Sequence, residues 1–489
     1  MKNDQKHIEK SIELAQRWQN KAVELVSDFD REFYTKMNKM LEHPKDKALL
    51  IELMDECFRS QSNERIANQI CFLLEKHGMA HFFTAKDKTL LYLFQNIGKD
   101  LPNISVPLFV KQIREDTKTV VIKGEEKVFN AHLQKRKEEG TRVNINLIGE
   151  VVLGEEEANE RIEKYIKALQ NPNVDYISIK ISTIFSQINP LNFDNVVEIL
   201  VKKLTLIYEA AQKNQYITTL GEKRDKFINL DMEEYRDLAI TVAVFKKTLE
   251  LPQFQNFYVG IVLQAYLPDS FLWQKDLTKW ARNRVKNGGS AIKFRLVKGA
   301  NMEMEATEAS QKHWDMVTYV DKPDTDANYK RMVKYALLKE NAPFLHIGTG
   351  SHNLFELAFA TVYADENGTS QYHTLEMLEG MSESARLAIK DISKEVILYA
   401  PTASKEQFTN AIAYLVRRLD ENTGPNNFIR YSFGLTVGSD DWKMQENLFR
   451  ESFEVVKTSF VGSKRTQNRL DERWENFSNS SFDTNKYHA

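Results

Sequence analysis

Tyr414, Arg417, Arg418 and Glu421 fall three and four residues apart in SKEQFTNAIAYLVRRLDEN. On a helix that spacing brings them onto one stripe, within an arc of roughly 100°. Two adjacent guanidiniums with a phenol one turn back make a fork-shaped cation site with an aromatic wall. Planar guanidinium donors bind both oxygens of a carboxylate or phosphate, which lysine does less well. The bland alternative is a solvated face with an Arg–Glu pair, the default for one arginine taken alone, since charged residues are mostly exposed. Other ionisable residues shift the balance. Lys180, Asp231, Arg295 and Lys298 each stand in or just after a short apolar run, as do Glu150, Gln264, Tyr399 and the trio Ser351, His352 and Asn353. Together they offer a cationic pocket suited to a small carboxylate substrate beside a phosphate-bearing cofactor. There is no P-loop and no HExxH, and Gly348 and Gly350 supply only GxG, a weak signal.

The elements that must position these groups are predicted from periodicity. Ser404 to Asp420 reads as a helix, with Phe408, Ala411, Ile412, Leu415 and Leu419 on its core-facing stripe. Upstream, NINLIGE, DYISIKIS, KFINLD, FYVGIVLQ, AIKFRLV, PFLHIG, QYHTLEML and EVILYAP are short strand-like runs, each followed by a helical pattern. Strand-then-helix units in this number argue for a (β/α)8 barrel over an open doubly wound sheet. Barrel chemistry sits at the carboxyl ends of the strands, where the ionisable residues stand. In DYISIKIS, Ile177, Ile179 and Ile181 should face the outer helices, which aims Lys180 inward. A lysine there needs a partner, and Asp231 is a suitable one.

The chain has 489 residues, 42% hydrophobic and 28% charged, with a formal net charge of -2. That reads as a globular chain of more than one domain and gives no sign of a nucleic-acid partner. Two cysteines, Cys57 and Cys71, make no disulfide framework or metal site, so a reducing cytoplasm is the default. MKNDQKHIEK has no apolar signal core, and no apolar run is long enough to span a bilayer. Residues 1–95 read as a helical arm. Residues 96–140 read as a connecting segment ending in the solvated run QKRKEEG. The barrel occupies 141–435, and 436–489 is an extension whose tail from Ser463 reads as poorly ordered or a linker.

RLVKGA, DYISIKIS followed by SQINP, INLDMEE, the LxGM of Leu378 to Met381, and YAP followed by YLVRRLDEN occur in an order that resembles the proline dehydrogenase family. The likeness is closest to the proline dehydrogenase domain of bifunctional bacterial proline-utilisation flavoproteins, over about residues 140–430 and more loosely the arm. The resemblance implies an FAD enzyme with a distorted (β/α)8 barrel behind a helical N-terminal domain, oxidising L-proline to 1-pyrroline-5-carboxylate and passing electrons to a quinone-type acceptor. It implies that Lys180, Arg417 and Arg418 hold the proline carboxylate, with Asp231 beside Lys180, and that Leu378, Tyr399 and Tyr414 wall the ring. Arg295 would lie against the flavin N5 region and Gln264 on its pyrimidine side. Val297, Lys298, Gly299, Ala300, Lys322, Thr325, Ser351, His352, Asn353 and Glu421 would line the rest of the FAD, and Glu150 would gate the site by pairing with a helix arginine.

Three departures stand out. Asn301 and Met302 replace the family's Tyr-Trp, which bears on a tyrosine wall over the substrate and an aromatic contact to the flavin. Val320 replaces a usual threonine, and the loop between YAP and YLVRR is about three residues longer than the family pattern. The retained Tyr414 favours proline over hydroxyproline. No second nucleotide-binding unit or catalytic cysteine follows, so the chain is expected to be a fragment or monofunctional, with a separate 1-pyrroline-5-carboxylate dehydrogenase as partner. The expected location is cytoplasmic, peripheral at the inner face of the membrane. Two alternatives are an aldolase-type barrel using Lys180 or Lys298 as a Schiff base, and an inactive barrel serving as a scaffold.

Overall fold

A computed structural model describes residues 2–149 and 152–466. Eight parallel strands close into a barrel: β1 Val143–Leu147, β2 Tyr176–Ile179, β3 Phe227–Leu230, β4 Gly260–Gln264, β5 Ile292–Val297, β6 Leu345–Gly350, β7 His373–Leu378 and β8 Val396–Ala403. Closure runs from β8 to β1, with Leu398 opposite Val143 and Thr402 opposite Leu147. Each of the eight runs predicted as a strand is one. Right-handed crossover through a helix is what parallel neighbours require, and each strand is followed by one. The first seven such helices are Glu155–Gln170, Phe193–Lys213, Leu238–Leu249, Ser270–Lys286, Lys322–Ala336, Leu354–Asn367 and Glu383–Ile392. Along β2, Ile177, Ile179 and Ile181 join the core shared with these helices, while Tyr176 packs inside the barrel on Phe227 and Ile397.

The eighth helix, Phe408–Thr423, distorts the scheme. Its apolar stripe, Phe408, Ala411, Ile412, Leu415 and Leu419, joins a second cluster with Met40, Leu49, Leu53, Phe58 and Leu74 of the arm rather than the barrel core. This helix starts four residues later than its periodicity predicts. The Ser404 N–H is held by Gln407 Oε1 at 3.2 Å and the Lys405 N–H by Glu125 Oε1 at 3.1 Å. The Gln407 N–H closes a turn on the Ser404 carbonyl. These side chains satisfy donors that a helix would otherwise leave open, so the chain turns first and coils afterwards.

Packing also departs from the sequence-based outline near the termini. The first helix, Lys2–Glu24, lies along Leu354–Asn367 and Glu383–Ile392 and puts Ile8, Ile12, Ala15 and Trp18 into the barrel core. The stretch expected to be a connector holds two helices, Pro102–Asp116 and Glu126–Glu138. Its charged run is not wholly solvated. Arg136 is buried and binds Glu139 at 2.7 Å, Glu383 at 2.9 Å and also Glu379. A guanidinium whose terminal nitrogens meet carboxylates is the form in which arginine tolerates burial. At the other end, helix Asp440–Val455 seats Trp442, Phe449 and Phe453 against the barrel core. The expectation of a loose tail from Ser463 fails for its first residues. Arg465 is 1% exposed, stacks on Trp314 and donates to the Asp315 carbonyl. Residues 467–489 lie outside the described part.

Candidate active site

The strand ends gather most of the residues expected there. Asp231 follows β3 directly and is the centre of a buried network. Its Oδ1 accepts from Ser178 at 3.0 Å, Asn229 at 2.9 Å and Arg295 Nη2 at 2.9 Å. Its Oδ2 accepts from the Tyr399 hydroxyl at 2.8 Å. Arg295, on β5, also lies over the Tyr399 ring at 4.5 Å. Burial works against the Arg295 charge, but Asp231 and Glu376 outweigh it and raise its pKa. This guanidinium is therefore a permanent cation fixed in position by β3 and β8.

Lys180 stands just past β2. Its ammonium bonds Glu233 at 2.8 Å rather than the expected Asp231. The reason is geometric: Asp231 is already saturated by Arg295, Tyr399 and two neutral donors, and Glu233 lies two residues farther out in DMEE. Asp231 still acts on Lys180 through space, after burial and Glu233, and the net effect raises the lysine's pKa. Burial would raise the Glu233 carboxyl, but Lys180, Ser182 and then Arg417 bring it below the usual range. The pair is thus charged on both sides through neutral pH.

The late helix lies beside these strand ends, its apolar cluster taking in Ile148 after β1, Leu378 at the end of β7 and Ala403 of β8. Arg417 acts on Glu233 and on Tyr266, Arg418 on His352, and Tyr414 on Tyr399. The polar stripe of Phe408–Thr423 therefore faces the same strand ends. Arg417 is exposed, while Arg418 and Tyr414 are half-buried, with the Arg418 guanidinium 5.1 Å over the Tyr414 ring. The Glu421 side chain and the whole of Glu150 lie outside the described residues.

A second polar group lines the rim beyond Arg295. Lys298 follows β5 and binds Asp326 and, at 3.3 Å, Glu356. Lys322 also binds Asp326, and Lys330 binds Glu356 at 2.8 Å. Three ammoniums face two carboxylates, which leaves one positive charge over. Gly299 has φ +129°, and a Cβ there would meet the Tyr266 ring at 2.4 Å, so backbone runs bare past the ring. Val297 is half-buried and Ala300 exposed. Ser351 Oγ accepts the Asn353 N–H at 3.0 Å, and Asn353 Oδ1 caps the next helix at Phe355 N, 3.0 Å away. His352 Nε2 accepts the Leu378 N–H at 3.0 Å. Burial, then Arg418, lowers the His352 pKa to about 3, so the ring is neutral and its proton must sit on Nδ1.

Several buried polar atoms here have no hydrogen-bond partner among the described residues: Gln264 Oε1, Thr325 Oγ1, Arg295 Nε and His352 Nδ1. Gln264 spends its amide on the Met232 and Glu233 carbonyls, at 3.3 and 3.1 Å. Buried polar groups in native proteins are nearly all satisfied by protein, water or a ligand, so a cluster of open ones at one rim marks space for such a partner. Met302 is 37% exposed and Val320 70% exposed, so neither fills this space.

Three residues at the site, Glu233, Glu376 and Lys293, escaped the sequence-based search. The inward alternation applied to β2 would have found the last two on β7 and β5. Glu233 lies beyond its strand, where alternation says nothing.

A closed parallel barrel with this crowd of ionisable strand ends defines a (β/α)8-barrel enzyme. Comparison with known proteins names its kind. The family model described as proline dehydrogenase matches residues 129–431. Proline dehydrogenase 2 of Bacillus subtilis (strain 168) is 27% identical over 308 residues, 61% of this chain and 83% of that protein. Among solved structures, proline utilization A of Corynebacterium freiburgense is 36% identical, with TM-score 0.64, covering 76% of this chain and 36% of that one. The Bdellovibrio bacteriovorus protein of the same name is alike in fold, at 23% identity and TM-score 0.73, over 97% of this chain and 46% of that one. The chain thus spans less than half the length of these two solved proteins. It belongs to the proline dehydrogenase family.

Proposed function

We propose that this chain oxidises L-proline to 1-pyrroline-5-carboxylate with FAD as its cofactor. What supports the reading is the late helix lying beside the Lys180–Glu233 pair and the buried Asp231–Arg295–Tyr399 network, with Arg417 in electrostatic reach of Glu233 and Tyr414 of Tyr399. Arg417, Arg418 and Lys180 would hold the carboxylate, two of them as planar forks. Tyr399, Tyr414 and Leu378 would wall the apolar ring. Asp231 anchors Arg295 and the Tyr399 phenol, so it fixes the pocket floor.

The rim residues fit FAD. Gln264 Oε1 accepts, Thr325 Oγ1 donates or accepts, and the His352 Nδ1–H donates, all from buried positions with no hydrogen-bond partner among the described residues. The surplus positive charge among Lys298, Lys322 and Lys330 suits a diphosphate. FAD, when bound, would supply the hydride acceptor at N5 and the route for electrons to a quinone-type acceptor. The chain's own part is to bind and orient, and to lower the pKa of the substrate amine. Three cations near that amine favour its neutral form, the one that can release a hydride. Glu150 would gate the pocket. The product would pass to a separate 1-pyrroline-5-carboxylate dehydrogenase, and the enzyme would work in the cytoplasm with peripheral contact at the membrane's inner face. No described helix is long and apolar enough to cross a membrane.

The aldolase alternative needs a lysine that is neutral near pH 7. Lys180 and Lys298 both have raised pKa values, because Glu233 for the first, and Asp326 with Glu356 for the second, outweigh burial. That argues against either as a Schiff-base nucleophile.

The test is a visible spectrum of purified protein supplied with FAD, before and after adding proline without oxygen. A bound flavin spectrum that bleaches with proline is expected. No flavin uptake would overturn the cofactor, and flavin that stays oxidised would overturn the substrate.

A further inference from the structure

Below the mouth of the barrel, β5 and β7 carry an ion pair that the site does not use directly. Lys293 and Arg295 are successive inward residues of β5, and Glu376 is inward on β7. Lys293 and Glu376 have side chains only 4% and 3% exposed, and they bond each other. Gly348 of β6 makes room for them. A Cβ there would stand 2.1 Å from Glu376 Oε1 and 2.8 Å from Lys293 Cε. The lone GxG at Gly348 is therefore space for a buried ion pair, not a phosphate turn.

The charges alternate from mouth to floor: Asp231, Arg295, Glu376, Lys293. Arg295 bonds Asp231 at 2.9 Å, yet its Nε stands 4.0 Å from Glu376 Oε2, beyond hydrogen-bond reach. Neither Arg295 Nε nor Glu376 Oε2 has a hydrogen-bond partner among the described residues. Glu376 is thus drawn toward the floor although a guanidinium donor faces it. Lys293 is the only lysine that bonds it among the described residues. Burial lowers the Lys293 pKa, and the Glu376 carboxylate opposes that.

We propose that Lys293 and Glu376 are positioning residues for Arg295. By holding Glu376 at the floor, Lys293 leaves Asp231 as the one carboxylate hydrogen-bonded to Arg295 among the described residues, and so sets the reduction potential of the flavin held there. This rests on the FAD reading above. Reduction adds negative charge to a flavin, so a cation beside it favours the reduced form. Without the Lys293 charge, Glu376 closes on Arg295 Nε and its own charge goes unbalanced. A unit charge about 10 Å away at an effective dielectric near 20 moves an equilibrium roughly tenfold.

The experiment uses the full chain reconstituted with FAD and equilibrated without oxygen against a redox dye. Lys293→Met should raise the oxidised-to-reduced flavin ratio about tenfold at fixed dye potential, about 30 mV for a two-electron couple. Glu376→Gln should move the ratio the other way, and it decides the question if Lys293→Met does not fold. The double variant, with no buried charge left over, should return to within about twofold of the parent. A merely structural pair would leave the ratio unmoved in every folded variant, and that result overturns the proposal. A parent that takes up FAD while the variants match its ratio overturns this inference alone. A parent that takes up no FAD overturns the cofactor reading and this inference with it.

Discussion

The strand-borne and helix-borne halves of the site are held in opposite ways. Asp231, Arg295 and Tyr399 are fixed by short polar contacts inside the barrel, where each group has charged or hydroxyl partners from different strands. Arg417, Arg418 and Tyr414 are placed from behind, by an apolar stripe packed on the arm. Hydrogen bonds in a buried network specify direction as well as distance. An apolar contact specifies only that the face stays covered, and burying one of its large side chains contributes about 1.5–3 kcal/mol. A site built this way has one rigid wall and one wall that moves with whatever moves the arm. On the proposed function, substrate would pass the arginines without disturbing the cofactor platform.

Breaking the rigid wall should cost most. Asp231→Ala strands the buried Arg295 guanidinium and frees the Tyr399 phenol. Loss of one partner of a buried pair typically costs about 3–5 kcal/mol. We expect a stability loss of that size in urea unfolding, with activity down at least about 100-fold. A variant that kept parental stability would mean that water reaches Arg295, and that the two walls are not so different. Arg418→Met attacks the other wall. Binding of a cyclic ether carboxylate, a proline mimic without the amine, should weaken by about 2–5 kcal/mol. The global unfolding midpoint should hardly move, because the stripe behind Arg418 remains. Unchanged inhibition in this variant would remove Arg418 from carboxylate binding.

The same contrast explains what could be read from the sequence. All eight strands were legible because parallel barrel strands are apolar runs bounded by helical patterns; alternation along β2 then aimed Lys180 inward, and position at the strand ends singled out Arg295 and Tyr399. The late helix was legible as a helix, with both its stripes, but not in its start, since Glu125 and Gln407 settle that from outside the periodic pattern. What could not be read is which acid pairs with which base. Lys180 had two carboxylates within reach, Asp231 and Glu233, and the choice depended on Arg295 arriving from β5. Nor did periodicity say that the late helix's apolar stripe would join the arm's cluster rather than the main barrel core, or that Arg465 would be buried beside Trp314. Both outcomes depend on contacts between segments far apart in the chain, which local patterns do not encode.

Leu415→Ala sharpens the comparison by loosening the movable wall without touching a polar group. Leu415 sits in the arm cluster, on the apolar stripe beside the arginines and one turn before Arg418. Truncation there should cost about 2–3 kcal/mol. If the apolar anchor sets the arginine positions, KM for proline should rise several-fold while FAD affinity stays within about twofold of the parent. Amide exchange should quicken along Phe408–Thr423 and not along β3 or β5. Equal quickening in the strands would show that the anchor supports the barrel as a whole.

The smallest effect comes from the support beneath the rigid wall. Glu305, on the helix Met302–Lys312, is 2% exposed and accepts the Tyr235 N–H at 2.7 Å. It thereby ties down the loop that leaves β3 with Asp231 and Glu233. Burial pushes its pKa up to about 7, against the Tyr235 hydrogen bond and with help from Glu308 and Glu234. The folded state then holds a proton through a range in which the unfolded chain, at about 4.3, has lost it. A raised carboxyl contributes its stability below the unfolded value, and the contribution drains away as pH rises through about 7. Between pH 5 and pH 8 the loss should reach about 2 kcal/mol from this group. Glu305→Gln keeps an oxygen for the Tyr235 N–H and cannot ionise. Relative to the parent, its stability should rise by about 2–3 kcal/mol between pH 5 and pH 8 in urea unfolding. Parallel pH profiles for the two proteins would mean that Glu305 is ionised in the folded state and that the β3 loop is held by charge rather than by a neutral hydrogen bond.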